Sequence, residues 1–334
     1  MGYSEGMVKG MKRAVGLWVV AAAALAVGIG LLAFSDRLVG ERNPFPARNV
    51  PQPIGPPSVQ QIVAAVGDIA CKPNTPVGGD ECQMQATADL VAERYVDAVF
   101  LLGDLQYQDG TLVKFRQSFD ESWGALTAPS YPVPGNHEYG TVGAKGYFDY
   151  FGSRAGEQGK GYYSFDLGSW HIVALNSNCG GAGGCSENSL QGTWLKQDLA
   201  AHQTECTLAF WHHPRFSSGR YHPGEVAVRS FWEILSKKGV DVVLNGHDHL
   251  YERFTPMRPD GTVDLEKGIR QFTIGTGGRS LYEFTTVLPT SEARNDKEFG
   301  VLFLTLGETQ YSWEFTTVDG TPFDAGSGIC HGSP

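Results

Sequence analysis

QIVAAVGDIA, residues 61–70, decides the fold. Gln61 to Val66 is short, apolar and β-branched, and it stops at Gly67-Asp68. An apolar run of this length, bounded by glycine, reads as a buried strand. AVFLLGDLQY, residues 98–107, repeats the device: Ala98 to Leu102 is apolar and ends at Gly103-Asp104. Further out, Tyr131 to Pro134 is short and extended and runs into Gly135-Asn136-His137. Thr207 to Trp211 ends at His212, and Val240 to Leu244 ends at Gly246-His247. Five apolar strands therefore each end in a side chain that can bind metal: Asp68, Asp104, Asn136, His212 and His247. Ligands bind at strand C-termini in α/β sheets, and a random scatter of such residues would not fall there five times.

Helical spacing occupies the intervals at Gln85 to Arg94, Leu190 to Ala201 and Val226 to Lys238. Tyr162 to Leu167 and Trp170 to Leu175 alternate across Gly168-Ser169, the pattern of a hairpin. Gln271 to Ile274, Val301 to Leu306 and Tyr311 to Thr317 read as closing strands. Strands and helices in alternation imply layered α/β architecture.

The chain has 334 residues, 41% hydrophobic and 19% charged, enough apolar content to exclude wholesale disorder. Glycine numbers 43 without a three-residue period, which excludes collagen and points to many tight loops. Net charge is −10 and no basic block lies beyond the N-terminus, so the sequence shows no nucleic-acid-binding surface. Lys9, Lys12 and Arg13 precede an uncharged run from Ala14 to Phe34. As a helix that run is about 31 Å long, enough to cross a bilayer. Residues 1–37 are thus either an uncleaved membrane anchor or a signal peptide cleaved near Ala24-Leu25-Ala26. Both readings place the remainder beyond the cytoplasmic membrane. Residues 38–58 are proline-rich and form an extended spacer, and residues 59–334 form the folded domain. Six cysteines follow the spacer; an even number outside the cell suggests disulfides. Short loops favour Cys71–Cys82 and Cys179–Cys185, leaving Cys206–Cys330.

Two cations a few ångströms apart need a carboxylate that bridges them, hard oxygen ligands, and imidazoles from loops meeting at one sheet edge. The loops offer Gly67-Asp68-Ile69-Ala70, Gly103-Asp104-Leu105-Gln106-Tyr107, Gly135-Asn136-His137-Glu138, Trp211-His212-His213-Pro214 and Gly246-His247-Asp248-His249. Glycine before each early ligand permits a sharp turn out of the strand. His247 and His249, at i and i+2, face one way in an extended segment.

In this order the five blocks resemble the calcineurin-like metallophosphoesterase superfamily, whose pattern is GDxG, GDxxY, GNH(D/E), VxxH and GHxH. Tyr107 in the second block points to its purple acid phosphatase branch. Ala70 replaces the last glycine of the first block, and Ala209 stands where valine is usual in the fourth. The resemblance implies a four-layer α-β-β-α sandwich with two mixed β-sheets. It also implies two metal ions: Asp68, Tyr107 and His249 on one, Asn136, His212 and His247 on the other, and Asp104 between them. A hydroxide made at the cations would attack phosphorus in line. His137 would give a proton to the leaving alkoxide, and His222 would bind phosphate, with Arg215 and Arg220 on the same loop ranked behind it. A phenolate suits a trivalent ion, so iron(III) is expected beside Tyr107 and divalent iron, zinc or manganese at the other position.

Other residues have plainer readings. His171 sits inside a hairpin strand as a structural residue, His202 and His213 carry no role, and Trp211 and Phe210 are core. Tyr251-Glu252-Arg253 reads as an ion pair that braces the last loop. The function expected is hydrolysis of small phosphate monoesters outside the membrane, with a tether through residues 14–34 in the anchor reading. The alternatives are a phosphodiesterase or nucleotidase of the same superfamily, a non-catalytic module that keeps metals for shape, and redox chemistry at an iron–tyrosinate centre.

Overall fold

The computed structural model describes residues 60–332. The expected anchor or signal peptide and the expected spacer lie outside the described residues. No helix among the described residues is long and apolar enough to cross a membrane.

The first half of the domain runs β1 (Gln61–Val66), α1 (Met84–Ala92), β2 (Ala98–Leu101), α2 (Leu112–Gln117), β3 (Ser130–Pro132) and α3 (Lys145–Phe151). A hairpin of β4 (Tyr163–Leu167) and β5 (Trp170–Ala174) leads to α4 (Leu190–Ala201), β6 (Cys206–Phe210), α5 (Arg229–Lys237) and β7 (Val242–Asn245). Six strands close the chain: β8 (Tyr251–Phe254), β9 (Arg270–Ile274), β10 (Ser291–Asn295), β11 (Gly300–Leu306), β12 (Gln310–Thr317) and β13 (Pro322–Ile329).

The strands form two mixed sheets, ordered β13-β12-β11-β1-β2-β3 and β10-β8-β9-β7-β6-β5-β4. β1, β2 and β3 run parallel, as do β5, β6, β7 and β9. The sheets pack face to face: Phe100 of β2 stacks on Phe210 of β6 at 4.9 Å, and Tyr251 of β8 on Phe315 of β12 at 4.0 Å. Side chains alternate across a strand, so a strand covered on both faces must be apolar throughout. In β6, Leu208 and Phe210 join the core between the sheets, while Ala209, and Trp211 just past the strand's end, join a second core under α4 and α5. Val242 and Leu244 of β7 divide from Val243 in the same way. α1 covers the other sheet beside β11. The expected sandwich of helices around two mixed sheets is the fold observed.

All six cysteines pair, Cys71–Cys82, Cys179–Cys185 and Cys206–Cys330, as the spacing suggests. The last closes a loop of 124 residues and ties the start of β6 to the end of β13, one strand from each sheet. In the chain-entropy account a loop of this size is worth about 5 kcal/mol.

Three strands escape the sequence reading. β13 contains Gly326 and Gly328, poor strand residues in isolation. A Cβ on Gly326 would lie 2.4 Å from the Trp313 ring, so the glycine lets that ring cover the edge strand. Tyr251-Glu252-Arg253 is not a loop brace but part of β8. Its neighbours face opposite ways, so Glu252 and Arg253 do not pair. Arg253 instead binds Asp324 at 2.7 Å and also Glu292. Buried Glu252 accepts from Ser218 N at 2.9 Å and from Ser291 Oγ. His171, by contrast, is structural as read: its two ring nitrogens face Asp166 at 2.8 Å and Asp198 at 3.0 Å.

Candidate metal centre

Parallel strands deliver their C-terminal ends to one edge, and here the two sheets share it. Gly67 N donates to Ile274 O at 2.8 Å and Gly277 N to Gly67 O at 3.0 Å, joining the end of β1 to the end of β9. The loops after β1, β2, β3, β6 and β7 converge at this seam.

Four of the ligand candidates are each held by a second contact. Asp68 Oδ2 accepts from His247 N at 2.7 Å, and Asp104 Oδ1 accepts from His137 N at 2.8 Å. His212 Nδ1 bonds Leu102 O at 2.8 Å, and His249 Nδ1 bonds Ser280 O at 2.8 Å. With Nδ1–H donated to a carbonyl, each Nε2 is directed at the centre and offers its lone pair there once deprotonated.

Two groups of donors result. Tyr107 OH lies 2.9 Å from Asp68 Oδ1, 2.9 Å from His249 Nε2 and 3.3 Å from Asp104 Oδ2. His212 Nε2 lies 3.2 Å from Asn136 Oδ1, 3.1 Å from His247 Nδ1 and 3.3 Å from Asp104 Oδ2. Two ligand atoms at right angles, each about 2.1 Å from one ion, are about 3.0 Å apart. The observed separations match that edge, and one oxygen, Asp104 Oδ2, belongs to both groups. Carboxylates, a phenol, a carboxamide oxygen and imidazoles are also a donor set that fits divalent or trivalent cations. Asp68, Asp104 and His212 together, and His212, His213 and His247 together, bring their donor atoms close enough to share an ion. The Tyr107 group is buried throughout, whereas Asn136 is exposed and His247 half-buried, so the second group faces solvent.

Electrostatics among the protein groups alone are lopsided. Burial pulls His212 down, but Asp104 outweighs it and holds the ring at about 9. Burial and then the His212 charge push His247 well below its ordinary value. Burial first, with Asp68 and Asp104 adding to it, pushes the Tyr107 phenol up. A cation favours the deprotonated form of every ligand, which agrees with His247 but reverses the preference of His212 and Tyr107, so its uptake must displace protons.

The glycines before the ligands act differently from the sequence expectation. The ligands themselves take the left-handed backbone, with φ of 60° at Asp68, 49° at Asp104 and 71° at His247. Such conformations cost non-glycine residues roughly 1–3 kcal/mol each. Of the preceding glycines, Gly103 shares the positive φ; Gly67, Gly135 and Gly246 do not. They leave room instead: a Cβ on Gly135 would lie 2.1 Å from Asp104 Oδ1.

His137 and His222 flank the centre. The His137 ring lies 4.3 Å from the Tyr107 ring, its Nε2 is 3.8 Å from Asp104 Oδ2, and its Nδ1 contacts the Gln108 carbonyl. The His222 ring lies 4.0 Å from the His247 ring, and burial first, then the His249 charge, lower its pKa. Arg220 pairs with Glu283 at 3.2 Å, and Arg215 lies over the Phe216 ring.

Four residues near the centre were missed. Glu138, fully buried, turns inward and accepts from the backbone N–H groups of Gly135, Asp104, Leu105 and Gln106 at 2.7–3.2 Å. Burial and then the Asp104 charge push its carboxyl up to about 8, against the pull of those amides. It clamps the loop after β2 to the loop after β3. His213, given no role from sequence, bonds Ser177 Oγ at 2.7 Å and packs 4.3 Å from the His247 ring. Tyr282 stacks on His249 at 4.0 Å, and the Arg279 guanidinium lies 5.7 Å from the Tyr107 ring centroid. The signal for the last two was present: β9 is a further parallel strand, so the loop after it reaches the same edge.

A family model described as calcineurin-like phosphoesterase matches residues 62–251. The chain is similar to purple acid phosphatase 15 of Arabidopsis thaliana, 29% identical over 59% of this chain and 42% of that protein. It is also similar to purple acid phosphatase 23 of the same plant, 28% identical over 74% of this chain and 57% of that protein. The chain thus spans about half the length of the curated relatives it matches. A purple acid phosphatase from yellow lupin (Lupinus luteus) seeds shares the fold, with a TM-score of 0.71 and 20% identity over 80% of this chain and 53% of that one. Motif order, shared edge, donor geometry and the family match lead to one conclusion: the chain belongs to the calcineurin-like phosphoesterase family, and purple acid phosphatases are among the proteins it is similar to.

Proposed function

We propose that the protein is an exported, metal-dependent phosphomonoesterase with a two-ion centre. The observation that carries this reading is Asp104 Oδ2, which stands 3.3 Å from both Tyr107 OH and His212 Nε2 and so can serve two ions at once. Asp68, Tyr107 and His249 would hold iron(III) on the buried side; Asn136, His212 and His247 would hold divalent iron, zinc or manganese on the open side. When bound, the ions supply an acidified water as nucleophile and positive charge for the phosphoryl oxygens.

The chain's own groups do the rest. Asn136 and His247 leave the open side accessible to a phosphate ester. His222, beside His247, donates to a phosphoryl oxygen. His137, steadied through Nδ1 by the Gln108 carbonyl, carries a proton on Nε2 when it is an imidazolium and delivers it to the leaving oxygen as the ester P–O bond breaks. Glu138 holds the Asp104 loop still through three backbone amides and ties it to Gly135 through a fourth.

Three disulfides suit an oxidising compartment. In this reading residues 1–37 direct export, as anchor or cleaved signal, 38–58 act as spacer and 59–334 form the catalytic domain. The test is metal analysis of the purified chain together with turnover of p-nitrophenyl phosphate, bis-p-nitrophenyl phosphate and peroxide. Preferential monoester turnover that disappears on chelation is expected. Faster diester turnover transfers the assignment to a phosphodiesterase, peroxide turnover to redox chemistry, and metal without any turnover to a binding module.

A further inference from the structure

We propose that a cavity formed by Lys72, Gln108 and Arg279 is a subsite for an anionic substituent on the leaving group of the substrate. The cavity has a volume of about 220 Å3 and opens beside Tyr107, with Glu81 and Ser280 completing its wall. The inference rests on the phosphoesterase reading and adds the chemistry of what leaves.

The position is set by covalent and backbone ties. Lys72 follows Cys71, whose disulfide to Cys82 closes the loop between them. Cys82 pairs as a β-bridge with Arg279, and Gln83 N donates to Gly278 O at 2.9 Å. Arg279 N in turn donates to Asp68 O at 3.0 Å, and the next residue, Ser280, supplies the carbonyl that orients His249. The two cations are therefore fastened to the same loops that carry Asp68 and His249.

Neither cation is neutralised. Among the described residues no carboxylate oxygen lies within ion-pair distance of Lys72 or Arg279, although the chain carries ten more acidic than basic side chains. The Arg279 guanidinium rests over the Tyr107 ring, 5.7 Å from its centroid. Unpaired cations at the rim of a site attract anions and discriminate by charge. A guanidinium also offers paired donors to a phosphate or carboxylate.

The side of the centre matters too. Gln108 lines the cavity, and its carbonyl holds His137, whose ring packs on Tyr107. His222 lies away from it, against His247 and Tyr282. The leaving oxygen meets His137, so the group attached to that oxygen extends toward Arg279 and Lys72. Hydrolysis balances without further reagents: water adds to phosphorus, the P–O bond breaks, and the leaving group departs with a proton while its second anion stays paired to Arg279.

The test uses the metal-loaded full chain and three substrates: phenyl phosphate, carboxyphenyl phosphate and pyrophosphate. Comparing variant with wild type for each substrate cancels intrinsic leaving-group reactivity. Arg279→Gln is expected to lower kcat/KM for an anionic-leaving-group substrate about tenfold more than for phenyl phosphate, the scale of one charge-assisted hydrogen bond. Lys72→Ala, on the exposed rim, shifts the same ratio in the same direction and serves where Arg279→Gln does not fold. A selective loss with carboxyphenyl phosphate identifies a carboxylate, and one with pyrophosphate identifies a second phosphate. Equal losses on all three substrates in both variants overturn the subsite. If wild type hydrolyses none of them, the phosphoesterase reading falls, and the subsite is then judged by calorimetric titration with pyrophosphate. About tenfold weaker binding by Arg279→Gln supports it; equal affinity removes it.

Discussion

Replacing Gly135 with alanine alters no ligand, yet it should empty the centre. Gly135 has no positive φ, so its backbone accepts alanine. Space is what forbids it. The new Cβ would lie 2.1 Å from Asp104 Oδ1, 2.3 Å from Asp104 N and 2.8 Å from its Cγ. Non-bonded carbon and oxygen need at least about 3.0–3.5 Å, so Asp104 must retreat by about 1 Å. Metal sites tolerate only about 0.2 Å in ligand distance, and the carboxyl carbon that moves also carries Oδ2, the oxygen common to both donor groups. Both ions should therefore be lost or held poorly, and turnover should fall about 10²-fold or more, the cost of a 1 Å misplacement. Overpacking should also destabilise the fold by about 1–3 kcal/mol. Gly180→Ala is the control, because no heavy atom lies within 4 Å of its Cβ position. The assay is metal content by mass spectrometry, p-nitrophenyl phosphate turnover and a melting curve for both variants. A folded Gly135→Ala protein with two ions and wild-type turnover would refute the reasoning.

Tyr107→Phe removes the phenol while keeping its packing, and with iron bound the visible charge-transfer band should vanish; a wild type that is colourless, active and free of iron defeats the iron assignment alone. His137→Ala should keep both ions and slow alkyl phosphates by about 10²-fold, with a smaller loss for nitrophenyl phosphate, whose leaving group barely needs a proton. Equal losses on both would move His137 from proton donor to phosphate contact. At His171, burial lowers the pKa, but the hydrogen bonds to Asp198 and Asp166 outweigh it and hold the ring above its ordinary value. A raised folded pKa means that stability from this cluster is complete below about pH 6.5, the unfolded value. It is lost as pH rises through the folded value. The melting-temperature gap between wild type and His171→Asn should therefore be widest in mildly acidic buffer and narrow in alkaline buffer; a gap independent of pH contradicts the charged-ring account.

The strand ends were legible because the information is local. An apolar run that stops at a metal-binding side chain needs only a few consecutive residues to be recognised, and parallel strands then carry those ends to a common edge. Val63 to Val66 and Ala98 to Leu101 are apolar throughout because both faces of each stretch are covered, a fact about burial already written in composition. The cysteine pairs of short separation are local in the same sense. What the sequence could not decide were relations between distant segments. Glu138 looks like one more acid in GNHE until the loop after β2 brings three amides to it. β13 reads as a loop because its glycines are explained only by the Trp313 and Tyr311 rings lying across them. Glu252 and Arg253 look like partners in sequence, but the strand turns them to opposite faces and Asp324, 71 residues away, takes the charge. Arg279 is an ordinary arginine until β9 places it beside Tyr107 with no carboxylate of the described residues in ion-pair distance. Residue types and strand period determined which groups could do chemistry; packing of two sheets at one seam determined which of them share an oxygen, a cavity and a charge.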